Sequence, residues 1–226
     1  SEMCIRDRMF GPSYRLTSTV STTPGASEFR VDDMIENLNA TPSEMELLYH
    51  CNFGPPLLGE GARVLAPVKF ACPRDARAKE GMDQWETYGP PDVDFTEQVY
   101  FLRLHGDAND RTVVALVDPQ EQMAASIRFS TTELPAFTIW KNTMAEADGY
   151  VTGLEPGTDY PNSRSFERDK GRVAQLPAGG SCNISLVFGV ASGAEQVAAL
   201  RDEISRLAEG KERRVSPEVD PEYCPA

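Results

Sequence analysis

The sequence holds two histidines in 226 residues, His50 and His105, and only 22 lysines and arginines against 35 aspartates and glutamates. The resulting net charge of -13 repels phosphate backbones and anionic lipid surfaces, so neither nucleic acid nor membrane is expected as a partner. No stretch approaches the roughly 20 consecutive apolar residues of a membrane-spanning helix. The first residues, Ser1-Glu2-Met3-Cys4-Ile5-Arg6-Asp7-Arg8, lack the apolar core of a signal peptide, which predicts an unexported protein. C-x-x-C pairs are missing too: Cys4, Cys51, Cys72, Cys182 and Cys224 are widely separated and odd in number. That pattern fits reduced thiols in a cytoplasmic setting better than a disulfide framework. Also absent are a Walker A loop, a G-x-G-x-x-G turn, a G-x-S-x-G elbow and any His/Cys cluster with metal-ligand spacing. Neither a cofactor nor a metal is therefore expected.

What is plentiful is turn chemistry. The chain has 17 glycines and 17 prolines, and between them Val, Thr, Phe and Tyr recur in short runs, the signature of many short strands and an all-β fold. Strand-like runs lie at 14–21, 28–32, 45–53, 63–70, 97–105, 112–117, 124–131, 137–140, 150–155 and 182–190. Alternation is cleanest in the last, where Ile184, Leu186, Phe188 and Val190 share one face. One helix is predicted at 192–210, capped by Ser192 with Glu195 as capping-box partner and striped by Val197, Leu200, Ile204 and Leu207. The proline-punctuated, charged tail at 211–226 reads as disordered. Residues 72–94 read as an excursion from the sheet, long enough to suggest a function, with Trp85 and Glu86 as a candidate lid. The first eight residues resemble the translated read-through of a sequencing adapter, so residues 1–9 are expected to be a non-native or disordered leader and the true protein to begin earlier. Residues 10–191 are then one β-sandwich domain, partial at its start.

Two segments carry candidate chemistry. In Leu47-Leu48-Tyr49-His50-Cys51-Asn52-Phe53-Gly54 a strand period of two points His50 and Asn52 together, away from Tyr49, Cys51 and Phe53. In Gly153-Leu154-Glu155-Pro156-Gly157-Thr158 the carboxylate shares its face with Gly153, and a glycine there leaves room for a ligand to approach the backbone before Pro156 ends the strand. A His and a carboxylate on a rigid sheet can act as an acid/base pair. Each has a bland alternative, a structural histidine and a solvated strand-end carboxylate. Trp140-Lys141-Asn142 offers an aromatic platform for the apolar face of a sugar beside two hydrogen-bonding groups. Asn162 joins the binding candidates, with Arg164 suited to an acidic or phosphorylated sugar. His105, in a polar hairpin, is expected to be solvent-exposed and is set aside.

Tyr49-His50-Cys51-Asn52-Phe53 resembles the His-containing strand of the aldose 1-epimerase, or galactose mutarotase-like, superfamily, where the pattern is commonly His-x-Tyr-Phe-Asn. Gly153-Leu154-Glu155-Pro156-Gly157-Thr158 is similar to its later Glu-Pro segment, and the order of both, with Trp140-Lys141-Asn142 between, resembles a bacterial branch of that superfamily from about Phe10 to Val190. The resemblance implies a large antiparallel β-sandwich, a supersandwich, with a sugar cleft on a concave sheet. It further implies a carbohydrate isomerase in which Glu155 takes the anomeric proton and His50 protonates the ring oxygen, their functional atoms several ångströms apart across one pyranose. A second His and a substrate-binding Arg of the family have no counterpart before His50. The expected partner is a small-molecule sugar; a non-catalytic carbohydrate-binding protein and a purely structural sandwich are the competing readings.

Overall fold

The computed structural model describes residues 2–4, as backbone alone, and residues 11–225. The expected leader at 1–9 lies mostly outside the described residues. Among the described residues fifteen strands are formed: β1 Glu2–Cys4, β2 Tyr14–Ser21, β3 Glu28–Asn37, β4 Ser43–Met45, β5 Cys51–Phe53, β6 Arg63–Leu65, β7 Val68–Pro73, β8 Gln98–Leu104, β9 Arg111–Val117, β10 Met123–Ser130, β11 Ala136–Asn142, β12 Val151–Gly157, β13 Ala174–Leu176, β14 Ser181–Ser192 and β15 Arg214–Val215. Helices α1 Ala76–Glu80, α2 Arg164–Asp169 and α3 Ala194–Ala208 accompany them, with short 3-10 turns at Met82–Gln84 and Glu146–Asp148. Among the described residues a seven-stranded sheet runs β1-β2-β3-β14-β10-β9-β6 and a six-stranded sheet runs β15-β7-β8-β11-β12-β5. Every pairing is antiparallel except β15 on β7.

The two sheets face each other across a core in which Val114, Leu116, Ile127, Phe129 and Leu186 of the first meet Tyr100, Leu102, Phe137, Ile139 and Leu154 of the second. Each such side chain contributes about 1.5–3 kcal/mol on burial. The sheets' opposite faces are covered as well. Helix α3 lays Val197, Leu200 and Ile204 on Val113, Ala115 and Val117 of β9. The C-terminal tail lays Cys224, with Tyr223 and Val219, on Phe70, Cys72, Val99 and Phe101. Strands β8 and β9 therefore read as nearly continuous apolar runs because both of their faces are dry.

Several sequence expectations need correction. The tail is not disordered: Arg214 and Val215 pair with Phe70 and Ala71, and the Tyr223 ring stacks on Phe70 at 4.4 Å. Its few apolar residues find a sheet face that composition could not reveal. Ser192 does not cap α3; Gly193 occupies the cap, and Gln196 Oε1 instead accepts from the Ser192 N–H at 3.1 Å. Trp85 is no lid, since it lies buried in the inter-sheet core with Met82 and Tyr88. The run 45–53 is two strands, β4 pairing with β13 and β5 with β12, joined by a single bridge from Leu48 to Gly157. Pro156 does not end β12. Its carbonyl accepts from Tyr49 N–H, so the donor it lacks faces the same side, where the ladder to β5 is interrupted.

Candidate active site

Register brings the two candidate groups together. Asn52 pairs with Gly153 in β12 and Leu48 bridges to Gly157, which places His50 opposite Glu155 between them. Directly opposed residues of an antiparallel pair have Cβ atoms about 5 Å apart, and here His50 Nε2 lies 3.0 Å from Glu155 Oε1. The expectation of side chains several ångströms apart is thereby corrected: cross-strand pairing presses them into contact. His50 Nδ1 lies 2.8 Å from Asn52 Oδ1, as the shared strand face required. Tyr49, Cys51 and Phe53 turn the other way, against the inter-sheet core.

The two partners differ in environment. The His50 side chain is 48% exposed and that of Glu155 only 3%. Although close to His50, Glu155 Oε1 meets no donor with hydrogen-bond geometry; the contact is one of proximity and charge. Burial raises the Glu155 carboxyl to about 7, His50 acts to lower it, and Glu97 pushes it up again. A carboxyl near 7 is divided between acid and base at neutral pH, which suits it to proton transfer. Gly153 has a reason different from the one expected. A Cβ at this position would come within 2.1 Å of Glu155 Oε1, so the glycine makes room for the carboxylate itself.

Trp140 completes the wall. Its ring meets the edge of His50 at 5.4 Å between centroids, and its Nε1–H donates to Glu97 Oε2 at 2.7 Å. Arg74 Nη2 in turn donates to Glu97 Oε1 at 3.2 Å. Thr138, directly opposite Glu155 in β11, is buried and its Oγ1 has no partner. Sequence reading missed Thr138 and Glu97. Thr138 was recoverable, because it stands two residues from Trp140 and so shares its face; Glu97 reaches the site through a tertiary contact that leaves no local pattern.

Three expected binding residues are elsewhere. Lys141 follows Trp140 and so points to the opposite face of the sheet, where its buried Nζ donates to the Gln84 and Thr87 carbonyls at 2.9 and 2.7 Å. Burial lowers this amine to about 8. It anchors the 72–94 excursion. Asn162 Nδ2 donates to Glu167 Oε1 at 2.7 Å and to the Tyr223 carbonyl at 2.9 Å, which makes it a tether for the tail. Arg164, at the start of α2, is paired with Glu46. His105, set aside earlier, lies 2.7 Å through Nε2 from the Glu212 carbonyl. Among the described residues, no group of three or more His, Cys, Asp or Glu side chains is placed to hold a metal ion, and no helix is long and apolar enough to cross a membrane.

Residues 3–190 match the family model described as Domain of unknown function (DUF4432). No curated protein matches the sequence. Among solved structures, an aldose 1-epimerase candidate from Klebsiella pneumoniae superposes with a TM-score of 0.92 at 34% identity, over 96% of this chain and 57% of that one. A galactose mutarotase-like protein from Clostridium acetobutylicum gives 0.60 at 15% identity, over 84% and 61% of the two chains. An aldose 1-epimerase candidate from Escherichia coli K12 gives 0.55 at 17% identity, over 84% and 68%. The fold is thus the galactose mutarotase-like sandwich, and the chain spans little more than half the length of the Klebsiella protein.

Proposed function

This chain belongs to the DUF4432 family, and from that premise we propose that it interconverts the anomers of an aldose or related sugar, with Glu155 as base and His50 as acid. The observation that carries the reading is the buried, undonated Glu155 carboxyl set against a half-exposed imidazole on one sheet face. In the reaction Glu155 takes the proton of the anomeric hydroxyl while His50 protonates the ring oxygen. The C1–O bond of the ring breaks to give the open aldehyde, C1 rotates, and closure reverses both transfers and restores both residues. For a pyranose to lie between them, His50 has to turn outward. It is able to, because it is half exposed and its hydrogen-bonding partner is the exposed side chain of Asn52. Trp140 offers its ring to the sugar's C–H face, and the unpartnered Thr138 hydroxyl lies beside the base. The described cysteines Cys51, Cys72, Cys182 and Cys224 are free thiols, which supports a reducing, cytoplasmic setting.

The direct His50–Glu155 contact favours one competing reading, a carbohydrate-binding protein of the same fold without turnover. Magnetisation-exchange NMR on a panel of free aldoses separates the two. Anomer exchange accelerated by the protein and lost in Glu155→Gln supports the isomerase; binding with exchange no faster than in buffer identifies the binding protein.

A further inference from the structure

The connection between β7 and β8, which holds the 72–94 excursion, leaves and rejoins the six-stranded sheet beside Trp140. Its first residues, Arg74 and Asp75, follow β7, and its last, Thr96 and Glu97, lead into β8. The two ends are fastened to each other. Asp75 accepts from the Ala78 N–H through Oδ1 at 2.9 Å, which caps α1, and from Arg74 Nε through Oδ2 at 2.9 Å. The other end of the Arg74 fork reaches Glu97. Arg77 of α1 donates through Nε to the Thr96 carbonyl at 3.2 Å, and its guanidinium lies 5.3 Å over the Phe95 ring. Single exposed ion pairs contribute little, but a fork shared by two carboxylates and backed by a helix cap is a network with few ways to rearrange.

Register carries this network to the site. Val99 pairs with Trp140, Trp140 with Gly153, and Gly153 with Asn52, so these positions form one row on the sheet face that carries Glu155. Glu97 stands two residues before Val99 and shares its face, which is why its Oε2 meets the Trp140 indole. On the opposite flank of Trp140 the row holds Gly153, which has no side chain to pack against the ring. The indole spans that gap to His50. A half-buried tryptophan with one empty flank has several staggered rotamers open to it, and the hydrogen bond to Glu97 selects the one that meets His50.

We propose that Glu97 is a positioning residue of the sugar site, holding the Trp140 ring against His50, and that the 72–94 excursion is the buttress behind it rather than a lid. The inference rests on the isomerase reading for what the ring does and on the hydrogen bonds alone for how it is held, so its test has two arms. The first needs no sugar. Trp85 and Trp140 are the only tryptophans, and Trp140→Phe assigns the indole N–H resonances by deleting one. In Glu97→Ala the Trp140 resonance should shift and its hydrogen exchange quicken about 10-fold. Glu97→Gln, which still offers an acceptor, should restore most of the protection, and Arg74→Met should fall between. The second arm follows anomer exchange. Glu97→Ala should raise KM about 10-fold, the scale of an aromatic platform, with kcat changed less, and should add little in a Trp140→Phe background. Glu97→Gln should keep KM near the parent value while moving the rising limb of the pH–rate profile to lower pH, because the charge it removes is one that raises the Glu155 carboxyl. An indole resonance unmoved in Glu97→Ala, or a KM penalty as large in Trp140→Phe as in the parent, would overturn the assignment. If the indole arm holds and no sugar's exchange is accelerated, the isomerase reading fails and the positioning stands; turnover with an indole that ignores Glu97 does the reverse.

Discussion

Glu155 and Glu167 are both withdrawn from water, 2% and 0% exposed, yet they are held in opposite ways. Glu167 accepts from Arg172 Nε at 2.6 Å and Nη2 at 2.9 Å, from Asn162 Nδ2 at 2.7 Å and from the Tyr160 N–H at 3.4 Å. Its charge is fully answered, and from α2 it ties down the Tyr160–Asn162 loop and Arg172. Glu155 has no donor on Oε1 and one half-exposed neighbour. A carboxylate whose lone pairs are all taken has nothing left with which to take a proton, whereas one left short is reactive and costs stability. The contrast separates a joint from a reagent using the same side chain.

The comparison is broken most severely at Glu155. Glu155→Gln keeps the shape and removes the base, so anomer exchange measured by NMR should fall about 10²- to 10⁴-fold with the melting temperature nearly unchanged. Glu167→Gln should do the opposite, leaving Arg172 with only its longer ion pair to the exposed Glu222, at a cost of about 3 kcal/mol and a melting temperature lower by roughly 10 °C, as read by calorimetry. His50→Gln should slow exchange about 10²-fold and move the rising limb of the pH–rate profile upward, because His50 is what lowers the Glu155 carboxyl. Gly153→Ala forces the tip of Glu155 aside; since only a flexible side-chain end has to give, activity should drop about 10-fold while thermal stability changes little.

The gentlest test uses pH alone. The folded Glu155 carboxyl is raised to about 7 from an ordinary value of 4.5, so between those values the folded state holds a proton that the unfolded chain has released. Stability therefore falls as pH rises through this window and levels off above it, while the basic form, and with it activity, increases. Asp159, raised to about 7 mainly by burial, contributes a stability slope of the same sign. Urea titrations from pH 4.5 to 8 should show the slope reduced in Glu155→Gln and reduced further when Asp159→Asn is added. An unchanged slope in Glu155→Gln would place the raised group elsewhere.

Much of the architecture was legible because it rests on local periodicity. The shared face of His50 and Asn52 and the apolar stripe Val197, Leu200, Ile204 of α3 follow from spacing alone. In β14, Ile184 and Leu186 are buried as alternation required, but Val190 is 56% exposed: it faces the same way but lies beyond the reach of the core. The misassigned residues share a different cause. Lys141 is held by Gln84 and Thr87, Arg164 by Glu46, and Asn162 by Tyr223 as well as by nearby Glu167; a polar residue with a distant partner looks the same in sequence as one awaiting a ligand. Lys141 alone could have been rejected, since it cannot share a strand face with its neighbour Trp140.

The parallel pairing of β15 with β7 has a consequence for how copies of the protein meet. Without Arg214 and Val215 the backbone groups of Phe70 and Ala71 would form an open template on the border of the six-stranded sheet, inviting a strand from another molecule. A short segment that adds almost nothing to the core thus acts as a stopper against polymerisation. A chain cut after α3 should retain both inter-sheet layers and yet self-associate, through the border of β7 and through the apolar face of Phe70, Cys72, Val99 and Phe101 that the tail covers.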